Sequence, residues 1–126
     1  MATLFSLRRV LVVEDEALIL LDIEQTLREA GVEQVFTASS SQEALAIIAM
    51  TPLDVAVLDL RLGRGDRSDE VARRLRQNNV PFVFLSGSGE VVDGFDDAPL
   101  VNKPFSSEQL VAALEPLSPD SGVVAA

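Results

Sequence analysis

Five residues of this chain have the types that phosphorus or metal chemistry needs. They are Glu14 and Asp15 in VLVVEDE, Asp59 in VAVLDLRLG, Ser86 in FLSG and Lys103 in NKPF. Each stands at the carboxyl end of a short apolar run. An acid in that position, taken alone, needs no function, because strand ends are wet and a carboxylate can cap whatever follows. Three acids, a hydroxyl and an ammonium at the ends of four such runs are harder to dismiss. Carboxylates brought within a few ångströms repel, and some are pushed toward protonation unless a cation compensates them. Lys103 compensates one charge, and a divalent cation with oxygen ligands, such as magnesium, would compensate the others. A carboxylate held near a metal and a lysine is poised as a nucleophile toward phosphorus, giving an aspartyl phosphate. The phosphoryl oxygens would then need donors: the metal, Lys103, the Ser86 hydroxyl and nearby backbone N–H groups. Gly87, next to Ser86, is expected to let the chain approach closely.

Composition narrows the chemistry further. The 126 residues contain no Cys and no His, which removes disulfides, thiolate metal sites, Ser-His and Cys-His catalysis and the usual zinc ligands. Acid–base and metal chemistry falls to carboxylates, Lys and hydroxyls, a ligand set for hard cations. A net charge of −10 argues against nucleic acid and anionic membrane surfaces as partners. The opening MATLFSLRRVLVVEDE has no apolar region with a small-residue cleavage site, and no apolar run approaches a membrane span. A cytoplasmic location is expected. With 48% hydrophobic and only 5% aromatic residues, one domain with a core of Val, Leu, Ile and Ala is expected.

The elements that must position these groups alternate between strand-like and helix-like. RRVLVVED ends in acids, and EALILLDIEQTLREAG carries Leu20, Ile23, Leu27 and Ala30 on one helical face, with Gly31 at its end. VFTAS is a second strand. SSSQEALAIIAM opens on Ser caps with Glu43 near the positive end of the helix, and Pro52 closes it. VAVLDL is a third strand, followed by the amphipathic helix SDEVARRLRQNN. FVFLSG and LVN are the fourth and fifth strands, and SSEQLVAALEPL is the last helix. Phe82 and Phe84 are read as core residues, one facing the core and the other lying under a helix. Continuous apolar strands are covered on both faces, so the expectation is an α/β doubly wound parallel sheet. In such a sheet ligands bind beyond the carboxyl ends of the strands, where these five residues converge. SGEVVDGFDDAP, between the fourth and fifth strands, has at most a turn or two of helix, and SPDSGVVAA is a turn-like tail.

VLVVEDE, VAVLDLRL, FLSG and NKPF, in this order and spacing, resemble the receiver domain of two-component response regulators. The resemblance covers residues 8–117. It implies a five-stranded, flavodoxin-like sheet that accepts a phosphoryl group from a sensor histidine kinase or histidine phosphotransfer protein, with Mg2+. On that reading Asp59 is the phosphoacceptor, Asp15 a direct metal ligand and Glu14 a second acid acting on the metal. Arg61 offers its backbone carbonyl to the metal, Ser86 bonds the phosphoryl group and Lys103 bridges to it. The Lys103–Pro104 peptide is expected to be cis. Residues 118–126 are expected to be a flexible tail with no output domain. Signalling would then run through a downstream protein target or by draining phosphate from a shared kinase, in a monomer or a dimer.

Two departures bear on output. Receivers usually carry Tyr or Phe three residues before the lysine, where this chain has Leu100, which has no ring to swing. Gly63 stands where most have proline, so a looser loop is expected after Asp59. PFVFLSGSG resembles the PFxFATGY signature of an atypical single-domain subfamily that lacks the aromatic switch and has a short or mobile fourth helix. Pro81, Phe82, Phe84 and Gly87 match; Leu85 and Ser86 replace Ala and Thr, and Ser88 replaces Tyr. This makes Phe84, Gly87, Ser88 and Leu100 the candidate output residues, with phosphorylation ordering residues 87–99 as a segment. Three rivals are weaker. A haloacid-dehalogenase-like phosphatase needs a second acid two residues after its nucleophile, where Arg61 stands. A dinucleotide site needs a GxGxxG after the first strand, and a pseudo-receiver has no reason to keep all five site residues.

Overall fold

The computed structural model describes Leu4, residues 7–90 and residues 92–118. The tail expected to be flexible lies, beyond Ser118, outside the described residues. Strands and helices alternate as β1 (Arg9–Val13), α1 (Ala17–Glu29), β2 (Gln34–Ala38), α2 (Ser41–Met50), β3 (Val55–Asp59), α3 (Asp69–Gln77), β4 (Phe82–Ser86), β5 (Leu100–Asn102) and α4 (Ser107–Leu114), with a 3-10 turn at Glu115–Leu117. All strand pairs are parallel, in the order β2-β1-β3-β4-β5. None of the described helices is long and apolar enough to cross a membrane.

The strands read as unbroken apolar runs because each face of the sheet buries alternate residues. Val10, Val12, Val57, Val83 and Leu85 pack with Ile23 and Leu27 of α1 and Leu110 and Leu114 of α4. Leu11, Val13, Ala56 and Leu58 face the other way, onto Ala44 and Ile48 of α2 and Val71 and Leu75 of α3. Leu20 is only half-buried at the margin of the first core. That core also takes in Leu4 and Leu7, both fully buried, upstream of the stretch that carries the family resemblance. Local signals set the helix starts: the Ser40 hydroxyl accepts from Glu43 N–H, and Ser106 and Gln109 form a reciprocal capping box.

Phe82 and Phe84 differ from their expected arrangement. Residues two apart on a strand share a face, so both rings lie in the α2–α3 core, edge-to-face at 5.3 Å. Among the described residues, no helix covers them directly from the segment between β4 and β5. Among its described residues that segment forms turns, with Gly89 and Gly94 at positive φ, and the fourth helix of the molecule is the one after β5. Phe95 from these turns completes an aromatic triad, 5.8 Å from Phe82 and 5.9 Å from Phe84. Arg76 of α3 lies over Phe95 and Phe82 at 4.7 and 5.5 Å and bonds the Gly94 carbonyl and the Asp97 carboxylate. Truncating it, Arg76→Ala, is expected to lower stability by about 1 kcal/mol, a cation–π contact plus partly exposed ion pairing. Urea unfolding measures this, together with faster amide exchange at residues 92–98.

Candidate functional site

Parallel register brings the strand ends level. Val13 of β1 pairs with Leu58 of β3, Asp59 with Leu85 of β4, and Ser86 with Asn102 of β5. Glu14 and Asp15, Asp59, Ser86 and Lys103 therefore emerge together on one rim, where the strand order reverses between β1 and β3. The Lys103 N–H donates to the Ser86 carbonyl at 2.8 Å, extending the ladder by one bond, and the Lys103–Pro104 peptide is cis.

Lys103 Nζ lies 2.9 Å from Glu14 Oε1 and 3.1 Å from Asp59 Oδ2. Glu14 is fully buried and Asp59 is 5% exposed, so one ammonium faces two acids that solvent barely reaches. Burial, and then the neighbouring Asp59, push the Glu14 carboxyl above its usual value. Burial alone would depress Lys103, but its bonds to Glu14 and Asp59 outweigh that and raise it. Asp15 is exposed, yet one oxygen each from Glu14, Asp15 and Asp59 lie within 4.8 Å of one another. Three hard carboxylate oxygens with one ammonium between two of them carry an excess of negative charge. That donor set fits a divalent ion such as magnesium and not zinc or copper.

The loop after Asp59 is pinned, not loose. Arg61 and Arg67 face each other in an antiparallel bridge whose bonds run from Ser68 N–H to Leu60 O and from Leu62 N–H to Asp66 O. Those bonds do not use the backbone of Arg61, so its carbonyl stays outside the bridge. Asp66 ties the loop to the start of α2 by accepting from Ser41 N–H and Oγ at 2.8 and 2.6 Å. Gly63 sits at φ +76, which proline cannot adopt. A Cβ there would come 2.9 Å from Asp15 Oδ2. A Cβ on Gly87, by contrast, would meet no protein atom within 4 Å.

Ser86 is 3% exposed and lines a cleft of about 280 Å³ with Asp59, Lys103, Arg61 and Glu90. Its hydroxyl accepts from the N–H groups of Ser88 and Glu90. Those two backbone donors are therefore spent on Ser86. Phe84 is buried, and Leu100, half-buried, is its register partner on β5. Glu90 escaped the sequence reading: its carboxylate binds Arg61 at 2.8 Å and Arg67 at 2.9 Å. Arg67 and then Arg61 hold that carboxyl below its usual value. No spacing rule links residues 61, 67 and 90, and only the folded path of two loops brings them together.

A five-stranded doubly wound sheet with an acid cluster and a lysine at its switch point defines a receiver-type signalling domain, and comparison with known proteins agrees. The response regulator receiver domain model matches residues 10–115, and the chain belongs to that family. It is 34% identical over 113 residues to the transcriptional regulatory protein PdtaR of Mycobacterium tuberculosis, covering 86% of this chain and 55% of that protein. Among solved structures it resembles SdrG from Sphingomonas melonis Fr1, with a TM-score of 0.79 and 35% identity over 89% of this chain and 97% of that one. A response regulator receiver protein from Sinorhizobium medicae WSM419 gives a TM-score of 0.78 and 33% identity, covering 88% and 94% of the two chains. The chain spans about half the length of curated relatives such as PdtaR.

Proposed function

We propose that Asp59 accepts a phosphoryl group from a sensor histidine kinase or histidine phosphotransfer protein in the cytoplasm. The observation that carries this reading is the half-buried Lys103 ammonium, hydrogen-bonded to Asp59 and ion-paired with Glu14, beside the exposed Asp15. Lys103 donates to the Asp59 carboxylate at 3.1 Å and stands ready to bond a phosphoryl oxygen. Ser86 supplies a hydroxyl on the other side of the cleft. Glu14, Asp15 and Asp59, with the Arg61 carbonyl, would hold Mg2+, which when bound neutralises charge on the phosphoryl oxygens. Leu18 and Leu21, exposed on α1 shortly after Asp15, offer apolar surface to a phosphodonor protein.

Incubation with acetyl phosphate and Mg2+ is expected to add one phosphate mass to the wild type and none to Asp59→Asn. An unlabelled wild type would favour a pseudo-receiver, and labelling of Asp59→Asn would move the acceptor elsewhere.

Output is proposed to follow the atypical PFxFATGY-type subfamily, through residues 87–99 and not an aromatic switch. Leu100 has no ring to rotate, and turns held by Arg76, Arg61 and Arg67 stand where a helix would need to melt. Phosphorylation would reorganise this segment around Ser86, Gly87 and Ser88 and change what a downstream protein binds. Amide exchange with a beryllofluoride mimic is expected to change protection across residues 87–99; an unchanged pattern there would sink the idea.

A further inference from the structure

A serine hydroxyl has one proton to give and two lone pairs to accept with. At Ser86 both lone pairs are engaged, by Ser88 N–H at 3.2 Å and Glu90 N–H at 3.3 Å. The proton is the part of the hydroxyl left over, and among the described residues none accepts it. Ser86 is almost fully buried and shares its cleft with Asp59 and Lys103. The turn from Ser86 to Glu90 thus sets the hydroxyl's polarity: it must donate, which is what a phosphoryl oxygen on Asp59 requires.

Among the described residues, that turn has no helix of its own to hold it. It is held from the side by the Glu90 carboxylate, which takes Arg61 on one oxygen and Arg67 on the other. Arg67 is braced in turn by Asp69 at 2.9 Å, and both arginines sit on the bridge that pins the loop after Asp59. The two loops that flank the acceptor are therefore tied to each other through one side chain.

We propose that Glu90 is a positioning residue for phosphoryl transfer. Its pairs with Arg61 and Arg67 hold the Ser86–Glu90 turn so that Ser86 Oγ donates into the Asp59 cleft. The inference rests on the reading of Asp59 as phosphoacceptor. With acetyl phosphate as donor, an Asp59 carboxylate oxygen bonds to phosphorus as the bond between phosphorus and the acetate oxygen breaks. Acetate leaves with that electron pair, and no proton changes owner. Ser86 only donates a hydrogen bond to a phosphoryl oxygen, and Glu90 touches nothing that reacts.

The test is a double-mutant cycle on the rate of Asp59 phosphorylation by acetyl phosphate and Mg2+, followed by intact mass. Glu90→Ala is expected to slow phosphorylation about tenfold, the worth of one hydrogen bond, with Arg67→Ala showing a loss of the same kind. In a Ser86→Ala background the further loss from Glu90→Ala should fall below about twofold, because the group it positions is gone. An equal loss in both backgrounds would mean Glu90 is merely structural and would overturn the proposal. So would a Glu90→Ala protein as fast as wild type while the wild type labels normally. A wild type that takes no phosphate would instead defeat the phosphoacceptor reading, and the inference with it.

Discussion

Replacing Lys103 with methionine is expected to destabilise the folded protein by about 2–4 kcal/mol at pH 7, the scale of a buried ion pair that loses one partner, discounted for a side chain still partly open to solvent. Methionine keeps the length and the apolar stem, so the change isolates the ammonium. Without it Glu14, fully buried, and Asp59, 5% exposed, face each other with no cation between them. The sign of the pH dependence follows. The folded Glu14 carboxyl already titrates above its ordinary 4.5, so its contribution to stability is full below that value and is lost as pH rises through its folded pKa. Lys103, raised above its ordinary 10.5, contributes fully below that value and is lost only as pH rises beyond it. Lys103→Met therefore loses a contribution the wild type keeps through neutral pH, and its Glu14 is raised further. The variant should fall furthest behind wild type at pH 7–8 and approach it near pH 5. Urea titrations at the two pH values, without Mg2+, measure the gap. Adding Asp59→Asn should restore much of the loss, and a gap that is independent of pH and of Asp59 would refute this electrostatic account.

The second large effect concerns Gly63. Gly63 and Gly65 have nearly the same φ, +76 and +78, and differ in what surrounds them. A Cβ at Gly65 meets nothing within 4 Å, whereas at Gly63 it lies 2.9 Å from Asp15 Oδ2. Alanine at either position carries a left-handed penalty of about 1–2 kcal/mol, so both variants should melt several degrees lower. Only Gly63→Ala should also displace the Asp15 carboxylate, which is exposed and able to swing away. Its cost then appears in metal binding more than in folding. The expectation is a Mg2+ affinity at least about tenfold weaker in Gly63→Ala, against a near-normal value in Gly65→Ala. The Mg2+-dependent rise in melting temperature reports this directly. Equal magnesium responses in the two variants would show that the close approach has no bearing on the site.

Both expectations concern places where residue type and tertiary path meet, and they mark how far the sequence could be read. The order and periodicity of VLVVEDE, VAVLDLRL, FLSG and NKPF carried the fold, because unbroken apolar strands alternating with amphipathic helices have one economical packing, a doubly wound parallel sheet. They carried the rim as well: in a parallel sheet every strand ends on the same side, so Glu14, Asp15, Asp59, Ser86 and Lys103 had to converge. The shared face of Phe82 and Phe84 was available from the two-residue period of a strand and was misassigned. The glycine after Asp59 was legible only as freedom, since composition tells that a turn is possible but not its φ or which side chain it must clear. Which partner closes which loop was decided by tertiary structure alone. Glu90 meets Arg61 and Arg67, Asp66 meets Ser41, and Arg76 meets Phe95 and Asp97. Such pairs sit on irregular backbone, where side chains follow no repeat, and they form between residues whose separation in the chain implies nothing about distance. Regular elements announce themselves through local periodicity; the contacts that hold their connecting loops are non-local and leave no such trace.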